Sequence, residues 1–437
     1  MSLKLTLVLA IAATLGAAPA AHAATGPGPL TGLAGKCATV TGGATANGTR
    51  IQLRACAGSG AQSWTVQDDG TIRALGKCLD VQGGSAANGT PIQLWDCLGN
   101  THQKWSYDSA SGRLVNPATG GCLDVTGQSD ADGTPLQLWT CNNQTNQQWT
   151  LPGQPPVCRR APGQSVVSVG FAGKRYPVTV HVPASAPAIA PLVLNLHGSS
   201  SSSGAGQLSY SNMAASADAN GYLAAFPEGA ISYQGGLSWT VPGVGTPPAG
   251  ARDDVGFLDQ VVTTLTGALC ADPHRIHLTG YSGGGRMASA FACARPERIA
   301  AIAPVAGLRA GRPAPGNTSV PDPASCRPGV PVPVIAFHGK QDATNPYDGG
   351  GTDLWQYSVP VAQQRWAAID GCGTGPVSTQ VSTHVTRTTY CDVQLYTVAD
   401  GGHTWPGSPQ AKPENGNTTH EIDANTLMWR FFAAHTR

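Results

Sequence analysis

Charge is scarce in this sequence. Only 12% of its 437 residues are Asp, Glu, Lys or Arg, and the two signs nearly cancel to a net charge of +1. No basic field exists to attract phosphates, so nucleic acid is excluded as a partner, and charge offers no attraction to a membrane either. Long apolar runs are missing as well. Beyond the N-terminus no stretch approaches the roughly 20 apolar residues of a bilayer-spanning helix. The twelve cysteines include no C-x-x-C, which removes the commonest zinc pattern. Their even number fits disulfides in an oxidising compartment. No residue pattern calls for a metal or a cofactor. Hydrophobic residues at 41% suffice for packed cores, and the length predicts two or three domains.

The N-terminus carries an address. Lys4 precedes an apolar run from Leu5 to Leu15, and Ala21-His22-Ala23 supplies small residues for cleavage. This predicts a secretory signal peptide over residues 1–23 and an extracellular protein.

One unit then recurs three times: Cys37 to Trp64, Cys78 to Trp105 and Cys122 to Trp149, each closing on Q-x-W. The two cysteines of each unit lie 19 residues apart, which predicts the disulfides Cys37–Cys56, Cys78–Cys97 and Cys122–Cys141. Each unit has an Asn/Asp-Gly turn (Asn47-Gly48, Asn88-Gly89, Asp132-Gly133) before a short strand and shows no helical period, so the region is all-β. Three such units over residues 34–151 resemble the ricin B-type lectin, a β-trefoil carbohydrate-binding module. The resemblance implies a sugar pocket per repeat, made of an Asp after the first Cys, a stacking aromatic and a polar residue before Q-x-W. The third repeat holds all three, Asp124, Trp139 and Asn146. The second has Asp80 and Trp95, with His102 in the polar position. The first has Thr39, Arg54 and Ala61 and retains none. The tryptophans of Q-x-W, being symmetric, are expected in the core.

Residues 152–157 form a proline-rich linker. From Cys158 to Arg437 apolar strands alternate with helical stretches, the pattern of a largely parallel sheet covered on both faces. Strands are expected at Tyr176–Val182, Pro191–Leu196, Arg275–Thr279, Ile299–Ala306, Val332–Phe337 and Val393–Val398. Helices are expected at Phe257–Leu269, Arg286–Cys293 and Thr426–His435. Between one strand and one helix lies Gly280-Tyr281-Ser282-Gly283-Gly284, a G-x-S-x-G nucleophile elbow. A turn this sharp strains Ser282 and leaves no room for side chains at Gly280 and Gly284. An ordinary glycine-rich turn is the bland alternative in a chain with 56 glycines.

The flanks favour the elbow. Sites gather at the carboxyl ends of parallel strands, where the sequence sets His197-Gly198-Ser199, Asp342 and His403. The order Ser282, Asp342, His403 is that of α/β-hydrolases. Ser282 would be the nucleophile, His403 the base and Asp342 its orienting acid, with the Gly283 N–H and a donor near Ser199 as oxyanion hole. Asp348 and Asp353 are rival acids, and His197 and His338 belong to loop-shaping His-Gly pairs. The stretches Leu196–Gly198, Asp253–Phe257, Gly280–Gly284, Phe337–Asp342 and Gly402–Gly407 resemble the feruloyl and acetylxylan esterases of the first carbohydrate esterase family and the polyhydroxybutyrate depolymerases. That resemblance spans residues 158–437. Asp253 and Asp254 are read as helix caps. Trp239 and Trp405 could wall an acyl pocket or pack in the core. Cys372–Cys391, Cys293–Cys326 and Cys158–Cys270 are the expected remaining disulfides.

The sequence therefore reads as a β-trefoil lectin followed by an α/β-hydrolase. Its expected function is that of a secreted serine esterase acting on feruloyl or acetyl esters of a xylan-like polysaccharide. The alternatives are a polyhydroxyalkanoate depolymerase and a lectin with an inactive hydrolase domain.

Overall fold

In the computed structural model, which describes residues 25–109, 111–142, 144–154, 160–201, 203–350, 355–373, 375–410 and 412–437, each cysteine-led repeat forms the same antiparallel strand pair. The expected signal peptide and the end of the linker lie outside the described residues. The chain divides into two units, Met1–Val157 and Cys158–Arg437, each treated by itself.

In the first unit Cys37–Val40 pairs with Thr49–Arg54, Lys77–Val81 with Thr90–Trp95, and Gly121–Val125 with Thr134–Thr140. The Asn/Asp-Gly turns joining them need a left-handed residue, and Gly48, Gly89 and Gly133 supply it at φ 85°, 87° and 91°. The second strands of the three repeats also pair with one another, Thr49 with Leu94, Pro91 with Gln137, and Thr134 with Leu53, which closes a ring. Trp64, Trp105 and Trp149 are 0%, 6% and 1% exposed in the shared core. Their indole N–H groups donate to the carbonyls of Ala38, Leu79 and Leu123, so the expectation of core tryptophans holds. The turn side chains reach into a neighbouring repeat. Asn47 Oδ1 accepts from Asp96 N, Asn88 Oδ1 from Thr140 N, and Asp132 Oδ1 from Ala55 N. The start and end of the trefoil meet where Thr31 and Thr150 exchange backbone hydrogen bonds.

The second unit is built on a ten-stranded sheet. Its strands are β1 (Gly163–Phe171), β2 (Lys174–Val182), β3 (Ala190–Leu196), β4 (Leu223–Pro227), β5 (Ala271–Tyr281), β6 (Ala301–Val305), β7 (Val334–Gly339), β8 (Val377–Gln380), β9 (Val385–Tyr390) and β10 (Val393–Val398). The spatial order is β1-β2-β4-β3-β5-β6-β7-β10-β9-β8. The stretch from β4 to β10 is parallel, and antiparallel strands finish both edges. The helices are α1 (Gly204–Ser211), α2 (Met213–Asn220), α3 (Asp254–Leu269), α4 (Gly283–Ala294), α5 (Val359–Ile369) and α6 (Ala424–Ala433). Strand pleating splits the core in two. Leu192, Leu194 and Leu196 pack with α3, α4 and α5, whereas Val193 packs with α1, α2 and α6. Both faces are therefore covered, which is why the strands read as continuous apolar runs.

Five disulfides join described residues: Cys37–Cys56, Cys78–Cys97, Cys122–Cys141, Cys293–Cys326 and Cys372–Cys391. Cys270 is disulfide-bonded too, and its expected partner Cys158 lies outside the described residues. No helix among the described residues is long and apolar enough to cross a membrane.

Candidate active site

The turn between β5 and α4 is strained where the sequence says it should be. Ser282 sits at φ 53° and ψ −114° as the residue capping α4, a region that costs a non-glycine residue on the order of 1–3 kcal/mol. Its N–H donates to Val305 O of β6 at 2.9 Å, and its carbonyl accepts from Arg286 N at 3.0 Å. A Cβ at Gly284 would lie 2.1 Å from Leu196 O, and one at Gly280 would lie 2.5 Å from the carbonyl of Gly284. The elbow is therefore wedged against the end of β3.

That contact aligns the next loop. A Cβ at Gly283 would lie 3.1 Å from Ser199 N, so the Gly283 and Ser199 backbones stand side by side at the helix N-terminus. His197 is fixed by its neighbours. Its Nε2 accepts from Gly229 N at 2.9 Å, Nδ1 donates to Gly198 O at 2.8 Å, and its carbonyl accepts the Trp239 indole N–H at 2.9 Å. This is a loop-shaping histidine, as its His-Gly pair suggests. Trp239 is 4% exposed, its ring 5.0 Å from that of His197 and tilted to it, so it packs against the Ser199 loop.

Asp342 and His403 meet. His403 Nδ1 lies 2.6 Å from Asp342 Oδ2, with the carboxylate fully buried. Asp342 follows β7 and His403 follows β10. The two loops are laced together by Gln341 N on Gly401 O (2.9 Å) and Lys340 N on Val398 O (2.8 Å). Burial would raise the Asp342 pKa, but hydrogen bonds from His338 and His403, joined in the acid range by the charges of those rings once protonated, hold it well below the usual carboxylate range. Burial lowers the His403 pKa despite Asp342, and His338 and Arg286 push the same way. The imidazole is thus neutral near pH 7 and able to take a proton. Tyr281, the residue before Ser282, packs its ring 5.0 Å from the His403 ring and donates its hydroxyl to His403 O. Tyr281 thus ties the elbow to the His403 loop, and no direct hydrogen bond between Ser282 and His403 occurs among the described residues.

Asp348 is exposed and bonds to no histidine among the described residues, while Asp353 lies outside them. Two expectations change. Trp405 is 0% exposed, its indole N–H 3.3 Å from Asn425 Oδ1 in the α6 core, so it is a packing residue and not an acyl-pocket wall. Asp253 does cap α3, accepting from Gly256 N at 3.1 Å, but Asp254 does not. It pairs with buried Arg252 at 2.5 Å and accepts from Thr240 N at 2.6 Å. The reason is an arginine that packs over Phe257 at 3.6 Å and Tyr176 at 4.5 Å and needs a counter-ion there.

In the lectin repeats, strand register sets the residues expected to line pockets opposite glutamines. Thr39, Asp80 and Asp124 lie opposite Gln52, Gln93 and Gln137. Asp124 accepts from Gln137 (2.9 Å), Asn146 (2.8 Å) and Gln147 (2.9 Å), and Asp80 from Gln93 (2.9 Å) and Gln103 (3.1 Å). In the first repeat Gln62 donates instead to Thr39 Oγ1 at 2.9 Å. The Gln of Q-x-W thus ties each repeat together, also reaching the carbonyls of Ala55, Asp96 and Thr140. Sequence reading missed this duty, although three copies of the same Gln signalled it. Trp139 is 38% exposed and Trp95 is partly exposed. His102 lies over Gly84 and makes no bond to Asp80 among the described residues.

Comparison with known proteins agrees with this division. The model of the ricin-type β-trefoil lectin domain matches residues 26–149. NocK of Nocardia uniformis subsp. tsuyamanensis, named as an esterase, is 31% identical over 267 residues, covering 55% of this chain and 73% of that protein. Feruloyl esterase B of Piromyces equi is 31% identical over 228 residues, and the match spans 49% of this chain but only 39% of that protein. The structure of the acetyl xylan esterase from Aspergillus awamori aligns with 62% of this chain and 99% of its own at 18% identity and a TM-score of 0.44. The chain belongs to the family of esterases that includes NocK, and it carries a ricin-type β-trefoil lectin domain ahead of its esterase unit.

Proposed function

We propose that this protein is a secreted serine esterase that removes feruloyl or acetyl groups from a plant cell-wall polysaccharide such as xylan, held to it by its lectin repeats. The observation that carries the reading is the buried 2.6 Å contact of His403 with Asp342, with Tyr281 of the strained Ser282 elbow packed against the same imidazole. In this mechanism neutral His403 takes the Ser282 proton through Nε2 as Oγ attacks the ester carbonyl. The Gly283 and Ser199 N–H groups receive the oxyanion, and Asp342 stabilises the imidazolium. His403 then returns the proton to the departing alcohol, leaving an acyl-enzyme that water hydrolyses by the same steps reversed. The disulfides and the Leu5–Leu15 pattern support export. The relatives named feruloyl esterase, together with a sugar-binding module, favour a polysaccharide ester over a polyester.

The test compares wild type and Ser282→Ala on methyl ferulate, acetylated xylan and polyhydroxybutyrate film. Wild type should act on the first two, and the variant on none. Activity confined to the film would replace this substrate class by polyhydroxyalkanoate, and a variant that kept most of its turnover would remove Ser282 as nucleophile.

A further inference from the structure

Asp342 has a second imidazole neighbour that the mechanism leaves unused. His338 lies near the end of β7, four residues before the acid, and is 2% exposed. Its Nε2 is 3.2 Å from Asp342 Oδ2, the oxygen that receives His403 Nδ1, and 2.8 Å from Asn345 O. Asp342 Oδ1 is committed to the N–H groups of Thr344 and Asn345 at 2.9 and 2.7 Å. The His338 ring is held flat against Trp355, centroids 5.6 Å apart, with the Tyr347 ring across it at 6.0 Å.

The proton on this ring has one place to be. Both neighbours of Nε2 are acceptors, so Nε2 carries hydrogen. Nδ1 is buried with no hydrogen-bond partner, and a second proton there would have no acceptor, at the cost of an unsatisfied buried donor. His338 is therefore a one-sided donor whose Nε2–H lies between the acid and its own loop.

We infer that His338 is a positioning residue of the esterase site: through Nε2–H it holds the same carboxylate oxygen of Asp342, Oδ2, that receives His403 Nδ1, and so sets how that carboxylate faces the catalytic imidazole. The inference rests on the proposed roles of Ser282, Asp342 and His403. By sharing Oδ2, His338 draws off part of the negative charge that would otherwise act on His403. Its removal concentrates that charge on His403, so the imidazole becomes harder to deprotonate and the carboxylate less firmly aimed. The groups acting on the His403 charge are Asp342, His338 and Arg286 of α4, and the Tyr281 ring packs against it.

The experiment measures kcat and KM for a small soluble ester from pH 4 to 9 in wild type, His338→Phe and His338→Gln, with thermal unfolding of each. The wild-type acid limb should fall below the ordinary histidine value of 6.5. His338→Phe should lower kcat on the order of tenfold and move the acid limb upward by about one pH unit, the weight of one hydrogen bond to a charged group. KM should stay unchanged, because His338 touches no solvent-facing surface. His338→Gln, whose amide can reach the same oxygen, should recover most of both effects. A wild-type profile in His338→Phe overturns the inference. So does an equal loss in both variants with lowered melting temperature and an unmoved limb, which would make His338 packing alone. Ser282→Ala and Asp342→Asn, run alongside, separate these results from failure of the triad itself, which retained turnover in either would reveal.

Discussion

Replacing Gly284 by alanine sets two physical effects against each other. Gly284 lies in the first turn of α4, where alanine would improve helix propensity by about 1 kcal/mol. The added Cβ, however, would stand 2.1 Å from Leu196 O, 2.5 Å from Leu196 C and 2.6 Å from His197 O, where ordinary contact begins near 3.4 Å. Some 1.3 Å (3.4 less 2.1) must therefore open. The obstructing atoms are backbone at the end of β3, a strand bonded on both sides to β4 and β5, so no rotamer change relieves the clash. Overpacking of this kind costs about 1–3 kcal/mol or more, and here it should outweigh the propensity gain. The melting temperature of the esterase unit should drop by several degrees. Turnover should suffer more, because the displaced atoms lead straight into His197–Ser199, and misplacing a catalytic group by ~1 Å can cost about a hundredfold. Differential scanning calorimetry and kcat on a soluble ester measure the two. Gly170→Ala in β1, with nothing within 4 Å, is the control and should be close to neutral. A Gly284→Ala protein as stable and as active as wild type would refute the wedge between elbow and β3.

Asp254→Asn should destabilise the esterase unit by about 3–5 kcal/mol in urea unfolding, since it leaves the Arg252 charge buried and unpaired, whereas Asp253→Ala should cost about 1 kcal/mol as a lost cap; equal effects would cancel the distinction. Burial, aided by the charges of His435 and Arg275, pushes the His277 pKa down to about 3. This ring folds neutral, so its contribution is whole above its unfolded value of 6.5 and is lost as pH falls toward 3, about 2 kcal/mol by pH 5. His277→Gln should flatten the fall in melting temperature between pH 6.5 and 5, and an unchanged slope would count against it. Trp139→Ala with Trp95→Ala should release the protein from insoluble xylan while leaving melting temperature and soluble-ester turnover alone. Asp124→Ala is a poorer probe, because it would take an acceptor from three amide groups, two of them buried; persistent sedimentation of the double tryptophan variant would remove those faces from binding.

Much of this was legible in the sequence because the signals were local or repeated. Glycine spacing around Ser282 encodes a steric need, and the apolar runs of β3, β7 and β10 encode burial on both sides. Equal cysteine spacing in three copies encodes one bond per copy. What escaped was set by distant partners. Asp254 looks like a cap until Arg252 is seen lodged against Phe257 and Tyr176. Trp405, beside His403 in the sequence, looks like a site aromatic until α6 covers it. His338 looks like half of a turn, and its bearing on Asp342 appears only when the Asn345 carbonyl and the Trp355 ring fix the imidazole. None of these contacts has a sequence spacing that distinguishes it from chance.

The crossing side chains of the trefoil turns carry one more consequence. Asn47 serves the second repeat, Asn88 the third and Asp132 the first, so each copy is completed by another and the ring has no first member. The covalent order of the copies is then immaterial as long as all three are present. With Thr31 and Thr150 side by side, the old ends could be fused by a short connector and new ones opened between Trp64 and Cys78. Such a rearranged module should fold and keep its sugar faces. A two-copy version should not, because one turn would be left reaching for a neighbour that no longer exists.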